Sequence, residues 1–191
     1  MNAGSLAEAL VHYGERWREE SETVALFDAL QREDADGQSD AYVRERTQGH
    51  FTASAWLVDR TGQRVLLTHH RKLDRWLQLG GHADGERDLP AVALKEAEEE
   101  SGLRQLQVEG GIFDLDRHLI PEHKGVPAHW HYDVRYVVRA LGDEAFVVSD
   151  ESNALAWRDI SEVAADPAMD ASLRRMARKW LALKADVEGA A

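Results

Sequence analysis

The chain has 191 residues, 43% of them apolar, which suits one domain of ordinary size with or without an extension and excludes global disorder. Its 23 Lys and Arg against 35 Asp and Glu give a net charge of −12, which repels a nucleic-acid duplex and makes an anionic small substrate depend on bound cations or a few local basic side chains. Cysteine is absent, excluding disulfides and thiol chemistry, and no apolar run approaches the ~20 residues of a membrane span, nor does the N-terminus resemble a secretory signal, so a cytoplasmic protein with no membrane contact is expected.

Residues 5–31 show helical spacing, in one piece or two: Leu6, Leu10, Tyr13 and Trp17, then Val24, Phe27 and Leu30. A polar break covers 34–40, and a short helix is expected over 39–46. This first quarter, residues 1–48, is read as a helical extension packed on a core domain of residues 49–191. The period then changes to two, with Phe51, Ala53, Ala55 and Leu57 alternating with Thr52, Ser54 and Trp56. A turn at Asp59–Gly62 returns a strand over 64–68, and a short extended piece at 76–79 is expected to break at Gly80-Gly81. A helix over 88–101 tolerates Pro90 in its first turn and stops at Gly102. Strands are expected near 104–109, 112–120, 130–140, 145–148 and 154–158. Leu173, Met176, Ala177, Trp180 and Leu181 mark one face of a last helix. The element order predicts a mixed sheet covered by helices rather than a regular βαβ series.

The helix over 88–101 carries the most specific chemistry. Glu96, Glu99 and Glu100 stand at i, i+3 and i+4 and share one face, while Glu98 points away. Lys95 offsets only part of their mutual repulsion, and a divalent cation turns that repulsion into coordination: Mg²⁺ and Mn²⁺ prefer such hard oxygen donors. An isolated acidic run is more often a solvated face. Here, however, a Gly-Gly break precedes the cluster by one helix length and a Gly follows it directly.

The 23 positions from Gly81 to Leu103 resemble the Nudix box. Gly81, Glu96, Glu99, Glu100, Gly102 and Leu103 match it; Lys95 stands where the family has Arg, Ala97 is smaller than usual, and Arg87 stands where the family has its first Glu. Glu86 is expected to take over that last role and pair with Lys95, leaving Arg87 free toward solvent or phosphate. The resemblance covers about residues 50–165. It implies an α/β fold, a Nudix-type α/β/α sandwich with a mixed β-sheet, preceded by the N-terminal helical extension. It also implies Mg²⁺ or Mn²⁺ held by Glu96, Glu99 and Glu100 with the Gly80 carbonyl, and water attack on phosphorus with Glu99 or Glu96 as base. The expected partner is a small nucleotide diphosphate derivative, with a homodimer left open. The isomerase branch of the fold uses a Cys, which this chain lacks; a Nudix-fold binding or sensor module that has lost catalysis is the alternative.

On the segment 129–136, a period of two puts His129, His131, Asp133 and Arg135 on one face. That face is read first as the polar wall of a substrate pocket, then as a solvated face, and last as a metal site, against which Arg135 argues. His69, His70, Arg71, Lys72 and Arg75 form a basic cluster before the box, either an ordinary basic loop or a holder of substrate phosphates through Arg71 and Arg75; His82, in the box loop close to where metal and phosphate would lie, is a further substrate-binding candidate, set against a simply exposed loop histidine. Glu151 is a weak candidate for an additional acidic residue, in competition with Asp150 and Glu144.

Overall fold

The computed structural model describes residues 5–37, 39–123, 125–148 and 152–189. Chain order is α1 (Leu6–Arg16), a 3-10 turn (Arg18–Glu20), α2 (Ser21–Ala35), β1 (Gly49–Val58), β2 (Arg64–His70), β3 (Arg75–Leu77), β4 (Leu79–His82), α3 (Leu89–Ser101), β5 (Leu106–Ile120), β6 (His129–Ala140), β7 (Ser152–Asp159), α4 (Ile160–Ala165) and α5 (Ala171–Gly189). The seven strands form a sheet in the order β3-β2-β1-β6-β5, with β4 beside β1 and β7 beside β2. Two compact units make up the chain. The first takes Met1–Ser54, Gly80–Ala93 and Gly110–Tyr136; the second takes Ala55–Leu79, Leu94–Glu109 and Val137–Ala191.

In the first unit α1 begins with a capping box, in which Ser5 Oγ accepts the Glu8 N–H and the Glu8 carboxylate accepts the Ser5 N–H. Leu10 and Tyr13 of α1 and Phe27 and Leu30 of α2 are buried. The Phe27 ring meets Tyr132 edge-on at 5.3 Å and Phe51 at 6.3 Å, so the helical lead has an aromatic contact with β1 and β6. The helix expected over 39–46 is a run of turns instead. Its backbone is engaged elsewhere: Phe51 N–H donates to the Ala41 carbonyl, Gly85 N–H to the Tyr42 carbonyl, and Ala41 N–H to Asp34.

All ten residues of β1 are buried, so its alternation separates a polar from an apolar face rather than solvent from core. Extended backbone continues through Gly80-Gly81 to His82, where a break was expected. Gly80 sits so close to β1 that a Cβ there would lie 2.7 Å from Ser54 Cα and 2.8 Å from the Ala53 carbonyl oxygen. Only glycine tolerates that approach.

The core of the second unit joins Ala55, Leu57, Leu66, Leu79, Leu103, Val138 and Leu155 to Ala97 of α3, with Leu94 and Trp157 packed against them. Small Ala97, noted as a departure from the usual box, is fully buried in that contact. β2 pairs antiparallel with β3 and with β7. On α5, Leu173, Met176, Ala177 and Trp180 are buried, whereas Leu181 is 38% exposed and off the expected face. The Trp180 indole N–H donates to the Gly62 carbonyl at 2.8 Å. Strands 104–109 and 112–120 prove to be one, β5, running through Gly110-Gly111. Residues 145–148 form no strand; the Val147 N–H caps α3 by donating to the Ser101 carbonyl. No helix is long and apolar enough to cross a membrane among the described residues.

Gly80→Ala is expected to lower thermal stability by about 1–3 kcal/mol, because backbone must move to admit the methyl group. Gly111→Ala, where an added Cβ meets nothing within 4 Å, serves as the control and is expected to leave the melting temperature within a degree or two or raise it slightly. Equal destabilisation by both, read by thermal denaturation, would show that the close approach at Gly80 is not what holds β4.

Candidate functional site

Two groups of chemically capable side chains emerge, one in each unit. In the second, α3 presents Glu96 and Glu99, with the Lys95 ammonium 3.7 Å from Glu96 and 3.3 Å from Glu99. Glu96 is largely enclosed, at 19% side-chain exposure, and Glu99 is open, at 59%. Glu100 lies one residue on, half-buried. One lysine thus serves two carboxylates, and the oxygen-only donor set at i, i+3 and i+4 fits a hard divalent cation.

The basic cluster before the box is the β2–β3 hairpin. His70 Nδ1 accepts the N–H groups of Lys72 and Leu73, and the His69 ring meets Trp76 edge-on at 5.2 Å. Arg71 donates to the Ser152 carbonyl, Arg75 lies 3.5 Å from Asp170, and both remain exposed. Glu144, considered as an extra acidic residue, pairs with Arg64 and accepts the Arg60 N–H. Asp150 and Glu151 lie outside the described residues.

In the first unit the polar faces of three strands meet. Asp133 accepts Thr52 Oγ1–H at 3.0 Å, Ser54 Oγ–H at 2.8 Å and Arg135 Nε–H at 2.7 Å. The Arg135 guanidinium, 2% exposed, also reaches Asp114 at 3.1 Å and Asp116 at 3.3 Å. Burial alone would lower its pKa, but the charges of Asp133, Asp116 and Asp114 more than compensate and hold it above the usual value. Arg135, expected on the polar wall of a substrate pocket, is instead buried, with its guanidinium engaged by three carboxylates.

His129 and His131 share the face of β6 that their spacing predicted, and they are joined by three histidines. The His131 ring lies 5.0 Å from both His50 and His82 and 5.5 Å from His118, and His129 stacks on His50 at 5.1 Å. His50 Nδ1 faces the Arg46 carbonyl at 3.2 Å, and His118 Nδ1 faces Asp116 at 3.0 Å. Burial, reinforced by neighbouring cationic groups, pushes His82 down to about 4 and His131 down to about 2, and burial likewise lowers His50. His82 and His131 are therefore neutral near pH 7. His50 and His118 escaped the sequence reading because they lie 81 and 13 residues from His131, a proximity that exists only after the strands pair.

Gly80, expected to lend a carbonyl to the metal, sits on β4 against Ser54. Arg87 is not free, as expected, but paired with Asp34, 3.8 Å from Asp40, and stacked 4.7 Å over the Tyr42 ring. The Glu86 carboxylate accepts the Asp88 N–H at 2.9 Å. Arg87, Asp34 and Tyr42 line a cleft of about 550 Å³ that Leu6, Gln31 and Tyr136 also border.

The model of the NUDIX domain matches residues 49–180. The chain belongs to the Nudix family. Among curated proteins none matches the sequence. The Nudix fold recurs in a Nudix-family hydrolase from Clostridium perfringens, at 22% identity and TM-score 0.55 over 70% of this chain and 97% of that one. An Ap4A hydrolase from C. elegans aligns at 18% identity and TM-score 0.55, over 71% of this chain and 98% of its own. A dihydroneopterin triphosphate pyrophosphohydrolase from E. coli aligns at 19% identity and TM-score 0.54, over 68% and 92%. The expected Nudix hydrolase with a mixed sheet, helices and a helical lead is met by these findings.

Arg135→Ala is expected to cost about 3–5 kcal/mol of stability, because it leaves buried Asp114 and Asp133, and half-buried Asp116, without their cation. Urea denaturation measures it; a loss under about 1 kcal/mol would mean that the three carboxylates do not depend on Arg135.

Proposed function

We propose that this Nudix hydrolase depends on a divalent cation, Mg²⁺ or Mn²⁺, and cleaves a phosphoanhydride bond in a nucleoside diphosphate linked to another group, by attack of water on phosphorus. The observation that carries the reading is the acidic face of α3, where Glu96 is drawn into the protein and a single Lys95 is shared between Glu96 and Glu99. A solvated acidic face would leave its carboxylates uniformly exposed; here exposure falls from 59% at Glu99 to 19% at Glu96.

On this reading Glu96, Glu99 and Glu100 hold the cation. When bound, the cation neutralises phosphate oxygens and acidifies water. Glu99 or Glu96 accepts the proton of the attacking water, and Lys95 limits the repulsion between them until substrate arrives. Arg71 and Arg75 are the exposed cations of the same unit that remain candidates for phosphate. The substrate class draws support from the relatives, whose names specify a dinucleoside polyphosphate and a pterin triphosphate.

A panel of nucleotide sugars, dinucleotide cofactors, dinucleoside polyphosphates and nucleoside triphosphates tests the reading, with products separated by chromatography. Turnover of at least one compound with Mg²⁺ or Mn²⁺ is expected, and EDTA should abolish it. Glu99→Gln or Glu96→Gln should lower kcat by ~10²–10⁴-fold, with the larger loss marking the base. Glu98→Gln should match the wild type. Turnover that survives EDTA sinks the mechanism, and tight binding without turnover in Mg²⁺ transfers the chain to the sensor class.

A further inference from the structure

We propose that His50, His82 and His131 form a binding site for one borderline divalent transition-metal ion of the Zn²⁺ class. Nothing in the hydrolase reading calls for this site, and its donors differ in kind from the carboxylates of α3.

Geometry comes first. One ring nitrogen from each of the three residues lies within 4.8 Å of the others, and the three are delivered by β1, β4 and β6. Two nitrogens on one tetrahedral zinc stand roughly 3.4 Å apart, given bonds of about 2.0–2.1 Å. Binding therefore asks for a contraction of up to about 1.4 Å, and His82 and His131 are only half-buried.

The protonation pattern is the second observation. A carbonyl only accepts, so His50 Nδ1 must carry the proton that it shares with the Arg46 carbonyl. That leaves His50 Nε2 as a bare lone pair. His50 is 1% exposed, and its Nε2 is buried with no hydrogen-bond partner. The Nε2 atom of His131 is buried and unpartnered as well. Buried polar atoms in native proteins nearly always have partners. Two orphaned imidazole nitrogens in rings 5.0 Å apart indicate an electron-pair acceptor that belongs between them. A carbonyl behind a ligating histidine is the usual outer support of such a ligand.

The charges of Arg44 and Arg46 oppose a cation at this cluster, and each is partly offset by its own carboxylate, Asp84 and Glu33 respectively. Arg135, which seemed to argue against metal on this face, is outnumbered by Asp114, Asp116 and Asp133. The excess negative charge begins two residues from His131 on the same strand face, roughly 7 Å away. His118, oriented by Asp116, and His129, whose Nδ1 donates to the Pro127 carbonyl at 2.8 Å, flank His131 and offer a fourth imidazole. Imidazole donors select Zn²⁺, Co²⁺, Ni²⁺ or Cu²⁺ over Mg²⁺. Three protein ligands leave a position for water, His129 or a substrate oxygen.

The test uses the full chain, stripped with chelator, kept in excess Mg²⁺ and titrated with Zn²⁺. Desalting followed by elemental analysis should find one Zn²⁺ retained per chain. His131→Asn and His82→Asn should each weaken retention by about tenfold or more, with circular dichroism reporting the fold. The triple variant Glu96→Gln/Glu99→Gln/Glu100→Gln should still retain Zn²⁺, so failure of the hydrolase mechanism leaves this site standing, and the reverse. X-ray absorption of the Zn²⁺-loaded wild type should show imidazole scattering with Zn–N near 2.0–2.1 Å, and this decides the matter if a variant fails to fold. Loss of Zn²⁺ to excess Mg²⁺, a shell of oxygen donors alone, or undiminished retention in both folded histidine variants would overturn the proposal.

Discussion

A buried guanidinium constrains the first unit. Desolvating Arg135 costs several kcal/mol, and this is offset only where its partners are fixed with good geometry. Those partners come from β5 (Asp114, Asp116) and β6 (Asp133), while Thr52 and Ser54 of β1 donate into Asp133. A one-residue slip of any of these strands would carry its polar residues to the opposite face and leave the cation unmatched. Register is therefore set by charge as well as by apolar packing. The period of two then extends each polar row by one step: His50 before Thr52, His131 before Asp133, and His118 after Asp116. The histidine cluster is where rows fixed by Arg135 run on together.

The acidic helix was legible because its information is local. Three carboxylates on one face, a Gly-Gly before and a Gly after all fall within 25 residues, and helical geometry alone places them. The alternation of β1 and of β6 was legible for the same reason. What a period of two cannot say is what lies against each face. Arg135 was read as part of a pocket wall, because its partner Asp114 and the Thr52 and Ser54 hydroxyls that meet Asp133 approach only through strand pairing. The stretch 39–46 failed as a helix for a related reason: its N–H and C=O groups are claimed by Phe51, Gly85 and Asp34, partners outside any local window.

The departures from the Nudix box also take on physical meaning. Arg87, basic where the family is acidic, has two aspartates and a tyrosine face, so its charge is used within the first unit. Asp34 is held below its usual pKa: burial works against this, and the Arg87 hydrogen bond, the Ala41 N–H and the Arg87 charge together outweigh it. An acidic residue at position 87 would face Asp34 and Asp40 instead, a repulsion this chain avoids by its own choice of residue. The change is thus coupled to the helical lead that precedes the matched domain, since Asp34 belongs to α2.

Two donor sets of different hardness occur in one chain of net charge −12. The carboxylates of α3 are hard oxygen donors, suited to ions that keep their water and exchange it readily. The histidines are nitrogen donors held by backbone carbonyls and by Asp116, suited to ions that bind slowly exchanging imidazole. Affinity of nitrogen sites rises steeply from Mn²⁺ toward Zn²⁺ and Cu²⁺, while hard Mg²⁺ gains little from imidazole. The two sets therefore do not compete for Mg²⁺, although both can attract Zn²⁺ when it is abundant. Discrimination then rests on burial. Half-exposed carboxylates pair with solvent and with Lys95 when empty, whereas the orphaned nitrogens of His50 and His131 have no such alternative among the described residues. An empty nitrogen site of that kind is the costlier of the two, and the drive to fill it correspondingly greater.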